Sequence, residues 1–386
     1  MREKIYSRRG RKTSSSAIEI EAGGIMNNND VGIIIVVAGL SSRMGEFKPL
    51  MLFKDKTIIE HVVDTAIDSG AGEVIVVVGK EKEKIKKQLS GRNISIVENP
   101  DYAGSEMLQS IKCGIERLSE NAKACFVMPG DMPLISKACY RCMLNKAKKT
   151  KDIKVVQIKY HGNGGHPILV KKECFSHILN YEGDNGLKGA LKKYKENIGV
   201  LEWHNSTILM DVDTPEDYQL LQRIYERKEI PSKAEVFTLI NKNQLDPKII
   251  AHCIAVEKVA IYITDKAIRS GYKINTNLVS AAALLHDIER GKPNHAKAGA
   301  DLMRELGYYK VAKIIEEHMF LSKEADNHID ERAVVFLADK LVIEDKMVGI
   351  RKRFEKQLLK YENTPEIYKK IEDNMMTAIR LKEILM

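Results

Sequence analysis

The chain has 386 residues, of which 44% are hydrophobic and 30% are charged, with a formal net charge of +9. This composition is typical of soluble, globular domains. Because no apolar run reaches the roughly 18 residues of a membrane helix, and only 6% of the residues are aromatic, we expect neither a membrane nor a nucleic acid as a partner. Six scattered cysteines favour a reducing, cytoplasmic location.

The length predicts two domains, preceded by a basic, polar tail at residues 1–29 that we expect to be disordered. From residue 30 to 228, short β-branched apolar runs alternate with helical periodicity, which predicts a doubly wound, Rossmann-like α/β domain with a mostly parallel sheet. The predicted strands span residues 32–38, 73–78, 94–97, 123–128, 153–160, 167–170 and 207–212, and the predicted helices span 57–69, 80–90, 105–118 and 215–227.

A linker at residues 228–233 contains Pro231 and separates this region from one of a different kind. Beyond it only helical periodicity is visible, which predicts an all-α domain over residues 229–386. Its predicted helices span residues 246–270, 276–289, 294–306, 308–319, 329–345, 347–361 and 365–385.

The segment VVAGLSSRMGEFKPL at residues 36–50 directly follows the first predicted strand, which is where α/β sheets bind their ligands. Its glycines, Gly39 and Gly45, would let the backbone approach an anion. Arg43 and Lys48 would offset the negative charge of a triphosphate. The segment matches neither the P-loop nor the dinucleotide-binding pattern, so it predicts a nucleoside triphosphate site of another kind.

The same segment resembles the A-G-x-S-x-R-M-G-x-x-K loop of the cytidylyltransferase-like NTP transferases, and the resemblance extends over residues 29–228. In that family the loop binds the nucleotide, and its arginine and lysine contact the phosphates. The region at 99–115 resembles a second family segment, which includes Ser110. The resemblance therefore implies a nucleotide-binding set of Ala38, Gly39, Leu40, Ser41, Arg43, Lys48 and Ser110.

Within that superfamily the motifs look most like those of the molybdenum cofactor cytidylyltransferases, because the related guanylyltransferases usually have Gly-Gly where Ala38 and Gly39 stand. The resemblance implies CTP as the nucleotide, molybdopterin or a related phosphorylated acceptor, and a molybdenum-enzyme maturation partner. The GHP and GDNG motifs resemble substrate-side loops, which places His166 and Asp184 on the acceptor side. The chain departs from the family at residues 187–188, which are Leu-Lys where Ala-Arg is usual.

Two aspartates are predicted to end strands of this sheet, Asp131 in a motif similar to the family's metal-binding G-D-x-P-L and Asp213 in DVDTPEDY. Mg²⁺ prefers a few carboxylates together with phosphate oxygens and water. We therefore predict that both bind Mg²⁺, with Asp211 as the alternative ligand on the same strand face. Capping of the next helix is a competing role for Asp213. Attack on an α-phosphate needs positioning and charge neutralisation more than a protein nucleophile, and we predict Lys48, Arg43 and Asp131 as the catalytic residues.

In the second region His252, the pair His286-Asp287 and Asp339 lie on separate predicted helices. Neutral imidazoles with carboxylates suit Zn²⁺, Mn²⁺ or Fe²⁺, and such a metal can make hydroxide from water. The order H…HD…D over residues 234–345 resembles that of the HD superfamily of metal-dependent phosphohydrolases, and this resemblance implies that the four residues are metal ligands.

His295 and His318 match extra histidines that some members of that superfamily use at a second metal. Arg290 could bind a phosphate, although an ordinary surface arginine fits the pattern equally well. The whole sequence thus predicts a bifunctional enzyme that transfers a nucleotidyl group and hydrolyses a phosphoester. The alternatives are transfer to a phosphosugar, phosphocholine or similar alcohol phosphate and, in another class, a nucleotide-sensing regulatory protein.

Overall fold

The computed structural model describes residues 26–37, 47–79, 81–102 and 107–386. Most of the predicted tail and most of the glycine-containing segment lie outside these ranges. The strands are β1 (Val31–Val37), β2 (Leu52–Phe53), β3 (Lys56–Thr57), β4 (Glu73–Val78), β5 (Ser95–Glu98), β6 (Ala124–Pro129), β7 (Val155–Tyr160), β8 (Asn163–Lys171), β9 (Ile198–Glu202), β10 (Val342–Ile343) and β11 (Lys346–Met347).

The helices fall into two groups, those that flank the sheet and those that follow it. The first group is α1 (Ile58–Asp68), α2 (Lys82–Gln88), α3 (Met107–Arg117), α4 (Lys137–Lys149), α5 (Phe175–Leu179), α6 (Gly186–Leu191) and α7 (Pro215–Glu226). The second group is α8 (Lys233–Lys242), α9 (Pro247–Arg269), α10 (Thr276–Leu285), α11 (His295–Leu306), α12 (Tyr309–Glu317), α13 (Lys323–Asn327), α14 (Glu331–Lys340), α15 (Ile350–Lys360) and α16 (Pro365–Leu385). No described helix is both long enough and apolar enough to cross a bilayer.

The N-terminal domain is built on a seven-stranded sheet with the strand order β5-β4-β1-β6-β8-β7-β9. β1 is buried along its whole length, as its run of isoleucine and valine predicts, and it pairs in parallel with β4 and β6. Alternate side chains of β1 face opposite layers. Ile33 belongs to the same hydrophobic cluster as Val63 of α1, and Ile34 belongs to a separate cluster that includes Ile111 of α3. The predicted doubly wound, mostly parallel sheet is confirmed.

The strand predicted at residues 207–212 is wrong, and it changes the backbone that carries two candidate ligands. Ser206–Leu209 forms a short 3-10 helix, because Asn205 accepts hydrogen bonds from the amide and the hydroxyl of Thr207 and closes a turn there. The sheet edge is instead β9, which pairs in parallel with β7. Asp211 and Asp213 therefore lie in an irregular segment before α7, not on one face of a strand.

The C-terminal domain is helical around one hydrophobic cluster, as predicted, with two local differences. α10 ends at Leu285, so His286 and Asp287 lie in the turn beyond the helix and not within it. The helix predicted to run to residue 345 ends at Lys340 and continues as the hairpin of β10 and β11. Glu344 has a positive φ of 54°, which a helix does not accommodate but a tight turn does.

The two domains meet where α4 packs against the end of α11. The guanidinium group of Arg141 donates hydrogen bonds to the backbone carbonyls of Arg304 and Glu305 in the last turn of α11, where the helix dipole favours a positive charge. His204 packs edge to face with Tyr308, with 5.3 Å between the ring centroids. Both of these side chains are buried, so the junction has an aromatic core.

Candidate active sites

Three carboxylates lie close together at the carboxyl end of strand β6 in the N-terminal domain. Ligand oxygens of Asp131, Asp211 and Asp213 all lie within 4.8 Å of one another. Asp131 follows β6, the central strand of the sheet, whereas the other two come from the irregular segment before α7. The structure thus brings together the two aspartates predicted as Mg²⁺ ligands and the residue predicted as their alternative.

The glycine before Asp131 is required by close packing against β1. A Cβ atom at Gly130 would lie 2.7 Å from Val37 Cγ2, and the Gly130 amide donates a hydrogen bond to the carbonyl of Val36. The aspartate of the G-D motif is therefore held directly beside the end of β1. This is where the predicted nucleotide-binding segment begins, although residues 38–46 of that segment lie outside the described ranges.

The carboxyl group of Asp131 is electrostatically suited to a cation. One of its oxygens is buried and has no hydrogen-bond partner. Burial raises the pKa of Asp131 to about 6, and the nearby charge of Asp211 adds to this rise while Lys48 opposes it. Because grouped carboxylates repel one another and a buried, unpartnered oxygen is costly, a divalent cation fits this donor set.

Lys48 places a positive charge beside this carboxylate group. Its side chain is 10% exposed, and its ammonium group forms a salt bridge with Asp213. The N-terminal cap of α7 is Thr214. Its hydroxyl accepts a hydrogen bond of 3.2 Å from the amide of Asp217, and the Asp217 carboxylate accepts one of 2.9 Å from the amide of Thr214. The competing role of Asp213 as that cap is therefore wrong.

The remaining candidate residues of this domain do not all lie beside the carboxylate group. Ser110 is buried and accepts a hydrogen bond of 2.9 Å from the Asn99 side chain. His166 has a buried Nδ1 without a hydrogen-bond partner, and burial lowers its pKa, an effect that the charge of Asp211 opposes. Asp184 lies in an exposed loop and is not part of the carboxylate group. The predicted roles of Ala38, Gly39, Leu40, Ser41 and Arg43 stay predictions, since these residues lie outside the described ranges.

In the C-terminal domain four histidines surround two aspartates. His252 Nε2 lies 3.2 Å from Asp339 Oδ1, and His286 Nε2 lies 3.7 Å from the same oxygen. His295 and His318 face the other aspartate. Their Nε2 atoms are 3.2 and 3.6 Å from Oδ1 of that second residue, Asp287.

The orientation of three imidazole rings is set by the backbone. His286 Nδ1 is 2.8 Å from the carbonyl oxygen of Ala283, His318 Nδ1 is 2.7 Å from that of Ile315, and His252 Nδ1 is 2.7 Å from that of Glu344. An Nδ1–H that donates to a carbonyl leaves Nε2 as a lone pair. These lone pairs point at carboxylate oxygens, and for His286 and His318 the Nε2 atoms are buried without a partner, so a cation fits between them.

The ligand atoms form two overlapping groups, each within 4.8 Å: one of His252, His286 and Asp339, and one of His286, Asp287 and His318. Burial lowers the pKa of His318 to about 3, which keeps it neutral and able to bind a metal. Burial alone would raise the pKa of Asp339, but Lys340 and His252 hold it well below its usual value. The geometry offers one ion position and a second beside it.

Two charged residues of this site were missed from the sequence. Lys340 Nζ is buried and donates to Asp339 Oδ2 at 2.7 Å and to the His318 carbonyl at 2.9 Å. Arg353 on α15 places Nη2 3.9 Å from Asp339 Oδ1. Only Lys340 carried a sequence signal, because it directly follows a predicted ligand.

A doubly wound sheet with a carboxylate group at its edge, joined to a helical domain with a histidine–aspartate site, defines an enzyme with a nucleotidyltransferase part and a phosphohydrolase part. Residues 33–198 match the MobA-like NTP transferase domain, and residues 249–343 match the HD domain. Through its N-terminal half, the chain belongs to the MobA-like NTP transferase family.

Among its relatives is the molybdenum cofactor cytidylyltransferase of Escherichia coli (strain K12), 30% identical over 189 residues, which are 49% of this chain and 93% of the relative. An uncharacterized protein, MJ0778 of Methanocaldococcus jannaschii, is 32% identical over 148 residues, covering 33% of this chain and 86% of that protein. A solved nucleotidyl transferase from Methanothermobacter thermautotroptrophicus is 21% identical, covers 51% of this chain and 98% of its own, and has a TM-score of 0.45.

Proposed function

We propose that the N-terminal domain transfers CMP from CTP to molybdopterin or a related phosphorylated acceptor, with Mg²⁺ as its metal and pyrophosphate as the second product. The observation that carries the proposal is the carboxylate group of Asp131, Asp211 and Asp213 with Lys48 paired to it. The likeness to the cytidylyltransferase from Escherichia coli supports the choice of nucleotide and acceptor.

In this proposal the residues of the chain position and neutralise charge. Bound Mg²⁺ would offset the charge of the triphosphate and of the leaving pyrophosphate. Asp131 and Asp213 hold that ion, and Asp211 adjusts its position or replaces one of them. Lys48 lies near the end of the nucleotide-binding segment, in a short 3-10 helix, and contacts a phosphate once the nucleotide separates it from Asp213. His166 and Asp184 contact the acceptor.

For the C-terminal domain we propose hydrolysis of a phosphoester by a metal-bound hydroxide. His252, His286, Asp287 and Asp339 would hold a first Mn²⁺, Fe²⁺ or Zn²⁺ ion, and His295 and His318 a second. The histidines present neutral Nε2 lone pairs, which these metals bind. Each ring that donates Nδ1–H to the backbone is pre-oriented, so little ordering remains when the metal binds.

The transferase proposal is tested by incubating the full chain with Mg²⁺, each NTP and molybdopterin, and identifying products by mass spectrometry. We expect a CMP adduct and pyrophosphate. Adducts on a phosphosugar or phosphocholine would replace the proposed acceptor. Tighter binding of GTP than of CTP in calorimetric titrations would overturn the cytidylyl assignment. Nucleotide binding without any release of pyrophosphate would favour the alternative of a nucleotide-sensing regulatory protein.

The metal role of Asp131 predicts the effect of Asp131→Asn. We expect pyrophosphate release to fall by at least about 100-fold, because one charge that positions the metal is removed. CTP binding without metal should stay close to that of the unmodified protein. The control is Asp152→Asn, an exposed aspartate in the turn after α4, which should retain full activity. Equal activity of the two variants would contradict the assigned role.

A further inference from the structure

One charged neighbour of the C-terminal ion site has unused hydrogen-bonding capacity. The side chain of Arg353 is 24% exposed, yet its Nε is buried without a hydrogen-bond partner. Among the described residues, no acceptor lies within hydrogen-bond distance of its guanidinium group. A buried N–H of a charged group is costly unless an acceptor reaches it, so this side chain is arranged for an anion that the protein itself does not supply.

The position of the guanidinium group identifies where that anion would lie. The ammonium group of Lys340 donates a hydrogen bond to Oδ2 of Asp339. Arg353 lies at Oδ1, the oxygen that also faces His252 and His286. The guanidinium group would repel a cation that those histidines hold, because the two positive charges would lie close together. An anion between them removes the repulsion, because it can contact both.

A second arginine stands at the other aspartate. Arg290 Nη1 donates to both oxygens of Asp287, at 3.1 and 2.9 Å, and its side chain is 46% exposed. Each of the two carboxylates of the ion site therefore has a guanidinium group beside it, and the one beside Asp287, that of Arg290, is exposed to solvent. A planar fork of N–H donors matches a phosphate group that has several free oxygens and two negative charges.

We propose that Arg353, together with Arg290, binds the terminal phosphate of the substrate, so that the C-terminal domain prefers dianionic phosphomonoesters to phosphodiesters. The proposal rests on the phosphohydrolase function proposed above for the same site. A diester has one negative charge and two free oxygens, so it cannot satisfy two guanidinium groups and a metal site together. Hydrolysis breaks the P–O ester bond, with water giving its hydroxyl to phosphorus and its proton to the leaving alcohol.

The test compares Arg353→Gln and Arg353→Lys with Arg351→Gln in the full chain loaded with Mn²⁺. Arg351 is an exposed arginine of the same helix and serves as the control. For p-nitrophenyl phosphate we expect Arg353→Gln to lower kcat/KM by about 10- to 100-fold, the factor that loss of charge-assisted hydrogen bonds produces. The lysine variant should recover part of this loss, and the small rate with bis(p-nitrophenyl) phosphate should change little.

Binding of inorganic phosphate gives a readout that does not depend on turnover. Line broadening of its ³¹P resonance by protein-bound Mn²⁺ should be weaker in Arg353→Gln than in Arg351→Gln at equal Mn²⁺ content. If Arg353 only supported the fold or the metal, Mn²⁺ content would fall instead, and the proposal would be overturned. Equal phosphate binding by both variants would also overturn it. Phosphate binding that depends on Arg353, without hydrolysis of any ester, would uphold the binding role and reject the phosphohydrolase assignment.

Discussion

At the scale of single residues, Lys340 shows how a buried charge organises the C-terminal site. It is 3% exposed, and its ammonium group joins Asp339 on α14, a proposed metal ligand, to the backbone carbonyl of His318 at the end of α12. Because Lys340 donates to Oδ2, the other carboxylate oxygen, Oδ1, faces the proposed ion position. Because both partners are buried, removal of one leaves an uncompensated charge.

Lys340→Met should therefore destabilise the metal-free protein by about 3 kcal/mol, since the carboxylate of Asp339 loses its counter-charge. With Mn²⁺ present the loss should be smaller, because the metal supplies positive charge to the same group. Urea unfolding with and without Mn²⁺ measures both values. Lys352→Met, which changes an exposed lysine, should have little effect, and equal losses in the two conditions would contradict the assigned role of Lys340.

At the scale of elements, the approach of β8 to the 3-10 helix at Ser206–Leu209 positions two carboxylates. A Cβ atom at Gly165 would lie 2.3 Å from the carbonyl oxygen of Ile208. Only glycine allows this contact, and the segment that it holds continues directly to Asp211 and Asp213. At the neighbouring Gly164, a Cβ atom would have no described atom within 4 Å, so this glycine offers a matched comparison.

Gly165→Ala should displace this segment and separate the aspartates, because a carbonyl oxygen cannot yield as a flexible side chain can. We expect Mg²⁺-dependent binding of CTP to weaken by about tenfold or more, the loss that misplaced metal ligands produce, while metal binding in the C-terminal domain is unchanged. Calorimetric titration of CTP with Mg²⁺ measures the effect. If Gly164→Ala weakened binding as much as Gly165→Ala, the packing argument would fail.

At the scale of the whole molecule, a buried histidine lies in the contact between the domains. His204 is 1% exposed and packs against Tyr308 of the C-terminal domain. Burial lowers its pKa to about 3, and the charge of Lys242 contributes, whereas an unfolded histidine titrates near about 6.5. The folded state therefore resists protonation, and this contribution to stability is complete above about pH 6.5 and is lost as the pH falls towards 3.

Acidification from pH 7 to 5 should thus cost the protein about 2 kcal/mol through His204 alone. Trp203, the only tryptophan of the chain, is buried beside it, so tryptophan fluorescence during urea unfolding at each pH reports on this contact. His204→Asn should be less stable at pH 7 but lose less on acidification. His161→Asn, which changes an exposed histidine, should keep the full pH dependence, and an unchanged slope in His204→Asn would refute the argument.

The regular parts of the fold were predictable because their signals are local. The buried run of β1 and the cap of α7 at Thr214 depend on neighbouring residues alone. β9 and α4 were not predicted, and the strand expected at 207–212 does not exist. Its apolar residues bury their side chains whether they extend or turn, so the choice depended on Asn205 and on which segment reached the edge of the sheet.

By itself, the sequence determined the two fold classes and the identity of the metal-binding candidates, because hydrophobic periodicity and side-chain chemistry are properties of the chain. Only the tertiary structure decided that Asp131 lies within one ion's reach of Asp211 and Asp213, since it is far from both of them along the chain. It also placed Arg353 at Asp339 and joined Lys340 to the backbone carbonyl of His318, and it buried His204 between the domains. Such contacts join distant segments, and packing selects them in three dimensions, where no pattern along the chain records them.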